Sequence, residues 1–338
     1  MNRFLQWAGR VRLATTARAV SSACAAAALL AAPGMALAQD WPQRPVKLVV
    51  AGPPGGGGDV LARLLAVRLG EGLGQPVVVE NKAGAGGVLA STQVATAAPD
   101  GYTILLGTSS THGINPGLYA KLPFDPLLDF TPVALVATNK FVMAVPAASP
   151  ARTVPEFIAM AKAAPGKHHY GSSGNATTSH LAGALFVSLT GAPLVHVPYK
   201  GNAPALTDLL ADRVSVMFDN ITAMENHFRA KSLRPIGTTG TTRAAALPEV
   251  PTLAEQGVPG YEIGGWFALL GPARMRPEVV ARLHRETARV LALPEVRERM
   301  TAMGADPQIG SPAELGQLIA AEIPRWKTII QAAGAKLD

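Results

Sequence analysis

The fold is decided by one stretch of sequence, Val46-Lys47-Leu48-Val49-Val50-Ala51-Gly52-Pro53-Pro54-Gly55-Gly56-Gly57-Gly58-Asp59. Its first five residues predict a buried strand, and the glycines and prolines after them predict a loop. The run that follows carries leucines at helical spacing, at Leu61, Leu64, Leu65 and Leu69. We therefore expect a strand that leads through a loop into a helix, with Asp59 as the N-cap of that helix.

The alternation of strand and helix continues to the C-terminus. Further strands are predicted at residues 77–79, 102–106, 133–137, 167–170, 194–197, 214–218, 233–237 and 266–270. Helices are predicted between them and over most of the C-terminal part, where Ser311 should cap a last helix that Pro324 should kink. Strands that alternate with helices favour an α/β fold with parallel sheets over a sandwich or a bundle.

Composition excludes several classes of protein. The chain has 338 residues, of which 48% are hydrophobic and 16% charged, so it is not a disordered polymer. Its net charge of +7 comes largely from four arginines within residues 1–38. With these set aside, the 30 basic residues fall to 26 against 23 acidic ones, so nucleic-acid binding through bulk charge is not expected.

The N-terminus has the pattern of a secretory signal peptide. Residues 1–18 are basic, Ala19 to Ala32 carry no charge, and Ala36-Leu37-Ala38 offers small residues for cleavage after Ala38. The single cysteine, Cys24, falls within this segment, so the mature chain would have no disulfide, thiolate nucleophile or cysteine-bound zinc. We expect a soluble exported protein.

The Gly-rich loop at Pro54–Asp59 is the first candidate site. Backbone N–H groups at the start of a helix favour an anion, and glycine allows a ligand to approach the backbone closely. No G-x-G-x-x-G or G-x-x-x-x-G-K-[ST] pattern occurs, so neither a dinucleotide nor a nucleoside triphosphate is expected as a cofactor. A small-anion site and a plain flexible turn both fit this loop.

Other loops repeat the arrangement. Tyr170-Gly171-Ser172-Ser173-Gly174-Asn175-Ala176-Thr177-Thr178-Ser179-His180 leads from a strand through hydroxyl residues into a helix. These hydroxyls suit a carboxylate, although they could equally serve to cap the helix. Three further loops follow predicted strands, namely those around Thr108-Ser109-Ser110, Tyr199-Lys200 and Asp219. Five such loops predict a crevice at the carboxyl ends of the strands.

A hydrolase is the alternative that the residues leave open. Ser173, His180 and Asp219 supply the residue types of a catalytic triad, but the G-x-S-x-G nucleophile motif is absent. No metal is expected, because the pair His168-His169 stands in a strand and no H-E-x-x-H occurs.

Motifs along the whole mature chain resemble one known family. They are, in order, the P-P-G-G-G-x-D loop at 53–59, Pro99-Asp100-Gly101-Tyr102-Thr103, Gly113-Ile114-Asn115-Pro116 with Leu118-Tyr119, Asp129-Phe130-Thr131-Pro132-Val133, Ser179-His180-Leu181-Ala182-Gly183, His196-Val197-Pro198-Tyr199-Lys200-Gly201, Met217-Phe218-Asp219-Asn220 and Leu247-Pro248 with Val250-Pro251-Thr252. The chain resembles the Bug-type extracytoplasmic solute-binding receptors of tripartite tricarboxylate transporters.

The resemblance implies an α/β fold of the two-domain Venus-flytrap type, the type II class of periplasmic binding proteins. Domain 1 would comprise residues 39–140 and 266–338, domain 2 residues 141–265, and the ligand would lie in the cleft between them. It also implies the ligand-binding residues, which are Pro54, Gly55, Gly56, Gly57, Gly58, Asp59, Thr108, Ser109, Ser110, Ser173, Gly174, Asn175, Thr177, Thr178, Ser179, Tyr199, Lys200 and Asp219.

The implied function is capture of a small carboxylated solute: a di- or tricarboxylate, an acidic amino acid or an aromatic acid. The partners would be this solute and the integral-membrane subunits of the transporter, with the protein a monomer and no cofactor, metal or catalysis involved. Members commonly carry Gly-Ser-Ser-Ser-His where this chain has Ala176-Thr177-Thr178-Ser179-His180, so the resemblance does not name the ligand. Because these loops contain no arginine and Lys200 is their single lysine, we expect amides, hydroxyls and water to hold the carboxylate.

Overall fold

The first strand leads through the Gly-rich loop into a helix, as the sequence predicts. A computed structural model describes residues 41–175 and 177–334 and places β1 at Val46–Val50 and α1 at Gly57–Leu73. The predicted signal peptide with Cys24 and its cleavage site after Ala38 lies outside the described residues, and so does Ala176. None of the helices in the described ranges is long and apolar enough to cross a membrane.

The strands lie close to their predicted positions, with one addition. After β1 come β2 (Val77–Asn81), β3 (Thr103–Thr108), β4 (Phe130–Pro146), β5 (His168–Ser172), β6 (Leu194–Pro198), β7 (Val216–Asn220), β8 (Leu233–Thr238), β9 (Gly264–Pro272) and β10 (Ala305–Gly310). The strand β10 was not predicted, because its sequence Ala-Asp-Pro-Gln-Ile-Gly has neither an alternating nor a continuous apolar pattern.

The sheet is mixed, which corrects the prediction of parallel sheets. Its order is β2-β1-β3-β9-β4-β7-β5-β6, with β8 and β10 also paired to β4. The outer groups β2-β1-β3 and β6-β5-β7 are parallel, whereas β9 and β4, which join them, run antiparallel to their neighbours. Local apolar patterns carry no information on strand direction, so the sequence could not reveal this arrangement.

The long strand β4 connects the two parts of the sheet. Residues 130–140 pair with β9 and β10, and residues 141–146 pair with β7 and β8. The sequence predicted a strand over 133–137 alone, because Thr138-Asn139-Lys140 interrupts the apolar run. Backbone pairing on both sides carries the strand through this polar segment.

The helices cover the sheet and follow the predicted runs, except for a short helix at Asn115–Leu118 that was not predicted. After α1 come α2 (Val88–Ala95), α3 (Asn115–Leu118), α4 (Val154–Ala163), α5 (Thr178–Thr190), α6 (Asn202–Leu210), α7 (Ile221–Arg229), α8 (Pro277–Ala292), α9 (Pro294–Ala302) and α10 (Pro312–Ala333). Thr153, Thr177 and Ser311 cap α4, α5 and α10 through their side chains. The last helix continues through Pro324.

The prediction that Asp59 is the N-cap of α1 is wrong. The N-cap is Gly56, because Gly57 and Gly58 already belong to the helix, so Asp59 is its third residue. From there its Oδ2 accepts a hydrogen bond from the backbone N–H of Gly55 at 2.8 Å. The carboxylate therefore reaches back to the loop and satisfies an N–H just before the helix.

Two buried apolar clusters support the loops at the strand ends. One surrounds Phe186, Phe218 and Tyr261 and includes Trp326 of α10. The other surrounds Leu105 and Leu270 and includes Leu315 and Ile319, also from α10. The last helix therefore packs into both parts of the core.

Candidate functional site

A cavity of about 520 Å³ lies at the carboxyl ends of β3, β5 and β7. Predicted site residues in its wall are Ser110, Ser173, Asn175, Thr177, Thr178, Ser179 and Asp219. The remaining lining residues are Gly86, Ile114, Asn115, Leu118, Tyr119, Phe141, Asn202 and Asn220. Such a crevice beyond the carboxyl ends of parallel strands is the usual place for a ligand in α/β proteins.

The loop between β5 and α5 contributes a cluster of hydroxyl groups. The Ser179 Oγ accepts a hydrogen bond from the Ser173 backbone N–H at 3.0 Å, and the Ser173 Oγ lies 2.9 Å from it. Thr177 Oγ1 lies 3.0 Å from the same Ser179 oxygen and donates to the Gly174 carbonyl at 2.7 Å. These hydroxyls hold each other in place at the N-terminus of α5, where they also face the cavity.

The loop after β3 is a π-helical turn at Ser110–Ile114 that continues into α3. Of the three predicted residues in this loop, Ser110 lines the cavity and Ser109 is buried. The backbone N–H of Thr108 donates a hydrogen bond to Thr111 Oγ1 at 2.9 Å. Asn115 Nδ2 donates to the Gly86 carbonyl at 3.0 Å. This bond joins the turn to a second Gly-rich segment, Gly84-Ala85-Gly86-Gly87.

The residues at the end of β7 place an acid in the cavity wall. The Asp219 side chain is 2% exposed, and its Oδ1 accepts a hydrogen bond from the Asn220 backbone N–H at 2.7 Å. Its Oδ2 makes no hydrogen bond of ordinary geometry with the residues that the structure describes. Burial raises the pKa of Asp219 to about 6, and the Asn220 N–H and the Asn202 side chain oppose this rise in part.

The first Gly-rich loop borders a second, neighbouring cavity. This space of about 380 Å³ is lined by Gly55 and Gly57 and shares Asn220 with the first. Pro54, Gly56, Gly58 and Asp59 do not line either of the two. The Arg63 guanidinium donates to Asp59 at 3.0 Å and, with the Gly55 N–H, lowers the pKa of Asp59 to about 2, so its charge is paired within α1.

Three further predicted residues lie outside the walls of the 520 Å³ cavity. The Tyr199 hydroxyl donates to Asp208 Oδ2 at 2.7 Å, and burial, followed by this bond, raises the pKa of Tyr199 to about 12. Lys200 is exposed. Gly174, with φ of +139°, shapes the β5–α5 loop without lining the cavity.

The hydroxyl and acid side chains of the predicted triad are not joined. Ser173 Oγ is bonded to Ser179, and Asp219 Oδ2 has no histidine partner among the described residues. A different serine–histidine pair exists, since Ser172 Oγ lies 2.7 Å from His196 Nε2, but Ser172 is fully buried. A buried hydroxyl without access to substrate is not an effective nucleophile.

Helix N-termini determine the electrostatics of the cavity. Helices α5, α6 and α7 begin at Thr178, Asn202 and Ile221, each at or next to a lining residue. Their free N–H groups and dipoles place partial positive charge there. The lining residues that the structure describes include no lysine or arginine. The site can therefore attract an anion without a full positive charge.

Sequence reasoning missed several lining residues. Asn202 and Asn220 immediately follow predicted site loops, so their positions after strands could have revealed them. Gly86 belongs to a second Gly-rich segment, and Asn115 to a motif that the resemblance already contained. Phe141 gave no signal, because it is one apolar residue within a strand.

Comparisons with known proteins agree with this architecture. The model of the tripartite tricarboxylate transporter family receptor, TctC, matches residues 61–335. Protein BugT of Bordetella pertussis is 37% identical over 301 residues, which cover 89% of this chain and 92% of BugT.

Two solved structures from Rhodopseudomonas palustris are also similar. Rpa4515 with adipate is 38% identical and covers 88% of this chain and 99% of its own, with a TM-score of 0.76. MatC with bound malate is 33% identical and covers 86% of this chain and 100% of its own, with a TM-score of 0.72. The fold is thus the α/β fold of periplasmic solute-binding proteins of the TctC and Bug type. The chain belongs to the tripartite tricarboxylate transporter receptor family.

Proposed function

We propose that the protein is a periplasmic receptor that binds a small carboxylated solute in the 520 Å³ cavity and presents it to the membrane subunits of a tripartite tricarboxylate transporter. It acts by binding and returns its ligand unchanged. The ligand class comprises di- and tricarboxylates, acidic amino acids and aromatic acids.

One observation carries the proposal: three helices begin at the wall of a cavity that is also lined by hydroxyl and amide side chains. A carboxylate accepts hydrogen bonds from N–H and O–H groups and is stabilised by the positive ends of helices. The similar proteins Rpa4515 and MatC have structures with adipate and with malate, which are both dicarboxylates. Ser110, Ser173, Thr177, Thr178 and Ser179 would make the direct or water-mediated contacts.

We also propose that binding closes two lobes, comprising residues 39–140 with 266–338 and residues 141–265. The partner change in β4 supports this division. Lys140 pairs with Gly264 of β9, and the next residue, Phe141, pairs with Asn220 of β7. Closure would create a joint surface for the membrane subunits. A fall in the radius of gyration on addition of ligand, measured by solution scattering, would support it; an unchanged radius at saturation would contradict it.

Ligand binding is tested with the mature chain from residue 39 after unfolding and refolding, which removes any bound solute. Citrate, succinate, malate, aspartate, glutamate and nicotinate are screened by thermal shift and then by calorimetry. A ligand at one hundred times its Kd should stabilise the folded protein by about 2.7 kcal/mol. The compound should be recovered intact. Absence of binding across the panel, or consumption of a bound compound, would refute the proposal.

The location of the site is tested with two matched variants. Thr178→Val removes a hydroxyl from the cavity wall at the start of α5, and Thr207→Val removes one from the exposed face of α6. We expect the first to weaken binding at least about fivefold, because a hydrogen bond to a charged group is lost. The second should leave the Kd unchanged. Equal effects of the two variants would show that the solute binds elsewhere.

Export and delivery are tested separately. Mass spectrometry of periplasmic protein should find a chain that begins at Gln39, and loss of the receptor should abolish uptake of the identified solute by cells. A full-length chain in the cytoplasm, or uptake that persists, would contradict these parts of the proposal.

A further inference from the structure

The cavity wall contains a single carboxylate among its described residues, that of Asp219. Its side chain is 2% exposed and therefore has almost no contact with bulk water. One oxygen is bonded to the adjacent Asn220 N–H, and the other, Oδ2, has no hydrogen bond of ordinary geometry among the described residues. A buried acceptor without a donor is unfavourable, and native structures contain few of them.

The Asn220 N–H and the Asn202 side chain both lower the pKa of Asp219, but they compensate its charge only in part, because burial outweighs them. No lysine or arginine is present among the described residues that line the cavity. Burial accordingly raises the pKa of Asp219 to about 6. A ligand composed of carboxylates and methylene groups alone would bring like charge to this acid and leave Oδ2 without a donor.

The next residue supplies the complementary group. Asn220 lines the same cavity, and its Oδ1 accepts a hydrogen bond from Asn139 Nδ2 at 2.8 Å. With its oxygen engaged, the Asn220 amide has N–H groups to donate. The end of β7 therefore presents an acceptor, Asp219, beside a donor, Asn220. An amino acid or a hydroxy acid has the matching pair, because an ammonium or hydroxyl donor lies next to its carboxylate.

We propose that Asp219 Oδ2 accepts a hydrogen bond from an amino or hydroxyl group of the ligand, so that the cavity selects 2-amino or 2-hydroxy carboxylic acids over the unsubstituted acids of the same length. This inference rests on the proposed function, since it identifies the class of carboxylate that the same cavity binds. Asp219 is then a residue that determines specificity.

The test compares acids of equal chain length by calorimetry on the refolded mature protein. The four-carbon set is succinate, malate and aspartate, and the sets of five and six carbons pair glutarate and adipate with their 2-hydroxy and 2-amino derivatives. Within the set that binds best, we expect a substituted acid to bind at least tenfold more tightly than the unsubstituted one. A stronger response to the amino acid indicates an ammonium donor, and one to the hydroxy acid a hydroxyl donor.

The variant Asp219→Asn links this selectivity to the residue. It retains Oδ1 for the Asn220 N–H and replaces Oδ2 with a donor. The substituted acid should lose at least tenfold in affinity while the unsubstituted acid binds as well or better. Asp212→Asn, which removes an exposed carboxylate outside the cavity, is the matched control and should change neither value.

The outcomes separate this inference from the proposed function. If an unsubstituted acid binds as tightly as its derivatives, or if Asp219→Asn leaves the ratio unchanged, the role of Asp219 is refuted and carboxylate binding stands. If none of these acids binds and citrate and nicotinate do not bind either, the proposed function itself fails; if nicotinate alone binds, the role of Asp219 is refuted and carboxylate binding stands.

Discussion

Replacing Asp219 with asparagine should stabilise the ligand-free protein at neutral pH. The pKa of this buried carboxyl is raised from its ordinary value of 3.8 to about 6, mainly by desolvation. Between these values the folded protein retains a proton that the unfolded chain has lost. Wild-type stability therefore falls as the pH rises from about 4 to about 6, and above about 6 the whole penalty is present.

The size of the effect follows from the two pKa values. Their difference corresponds to about 3 kcal/mol, since each pH unit is worth about 1.4 kcal/mol. Asparagine retains the oxygen that accepts the Asn220 N–H at 2.7 Å, so the substitution removes the charge and conserves the shape. For a chain of this length, about 3 kcal/mol corresponds to a rise in Tm of about 5 °C.

The assay is thermal unfolding of the wild-type protein and Asp219→Asn at pH 4, 5, 6 and 7.5, each without ligand. We expect the difference in Tm to grow as the pH rises and to level off above about pH 7. Asp212→Asn, at an exposed position, serves as the control. A variant less stable than wild type at pH 7.5, or a difference independent of pH, would show that burial does not penalise the charge of Asp219 in the folded protein.

Three further predictions follow from the structure. Gly183→Ala should destabilise the fold by about 2 kcal/mol or more and lower Tm by several degrees, because a Cβ there would lie 2.2 Å from the Tyr170 ring. The matched control, Gly316→Ala, has its nearest atom 3.7 Å away and should stabilise α10 by up to about 1 kcal/mol. Equal effects of the two variants on thermal unfolding would contradict this packing. Tyr199→Phe should lower the free energy of unfolding by about 1 kcal/mol, because the hydrogen bond to Asp208 is lost. It should change the ligand Kd by less than about twofold; a large loss of affinity in calorimetry would show that the Tyr199 hydroxyl contacts the ligand. The Kd should vary by less than about threefold between 20 and 200 mM NaCl, because the described residues of the cavity wall include no lysine or arginine; a steep dependence would reveal a cation at the site.

The sequence by itself determined the local elements of this protein. The strands before the Gly-rich and hydroxyl-rich loops, the helices after them and the cap at Ser311 all lie where apolar spacing and capping residues predicted them. These features depend on residues within three or four positions of one another, and such interactions are encoded in the order of the chain. The same patterns placed hydroxyl residues at the start of α5, where the structure finds them in the cavity wall.

Tertiary structure decided which of the predicted loop residues face the cavity. Tyr199 and Asp59 have the chemistry to bind a ligand, but Asp208 and Arg63 already occupy their polar atoms. Asp59 and Arg63 have the i,i+4 spacing of a helical ion pair, so the sequence could have revealed this partner. Tyr199 and Asp208 lie nine positions apart, with the start of α6 between them, and only the folded chain shows that they meet.

The direction and length of the central strands were likewise decided by the tertiary fold. Residues 138–140 join β4 because β9 pairs with all three of them and β10 pairs with Thr138 and Asn139 on the other side. The burial of the Asp219 carboxylate was also decided by the tertiary fold, because elements from distant parts of the chain meet at the cavity that it lines. Desolvation is a property of the assembled fold, because it depends on which groups exclude water from a side chain, and local sequence does not contain that information.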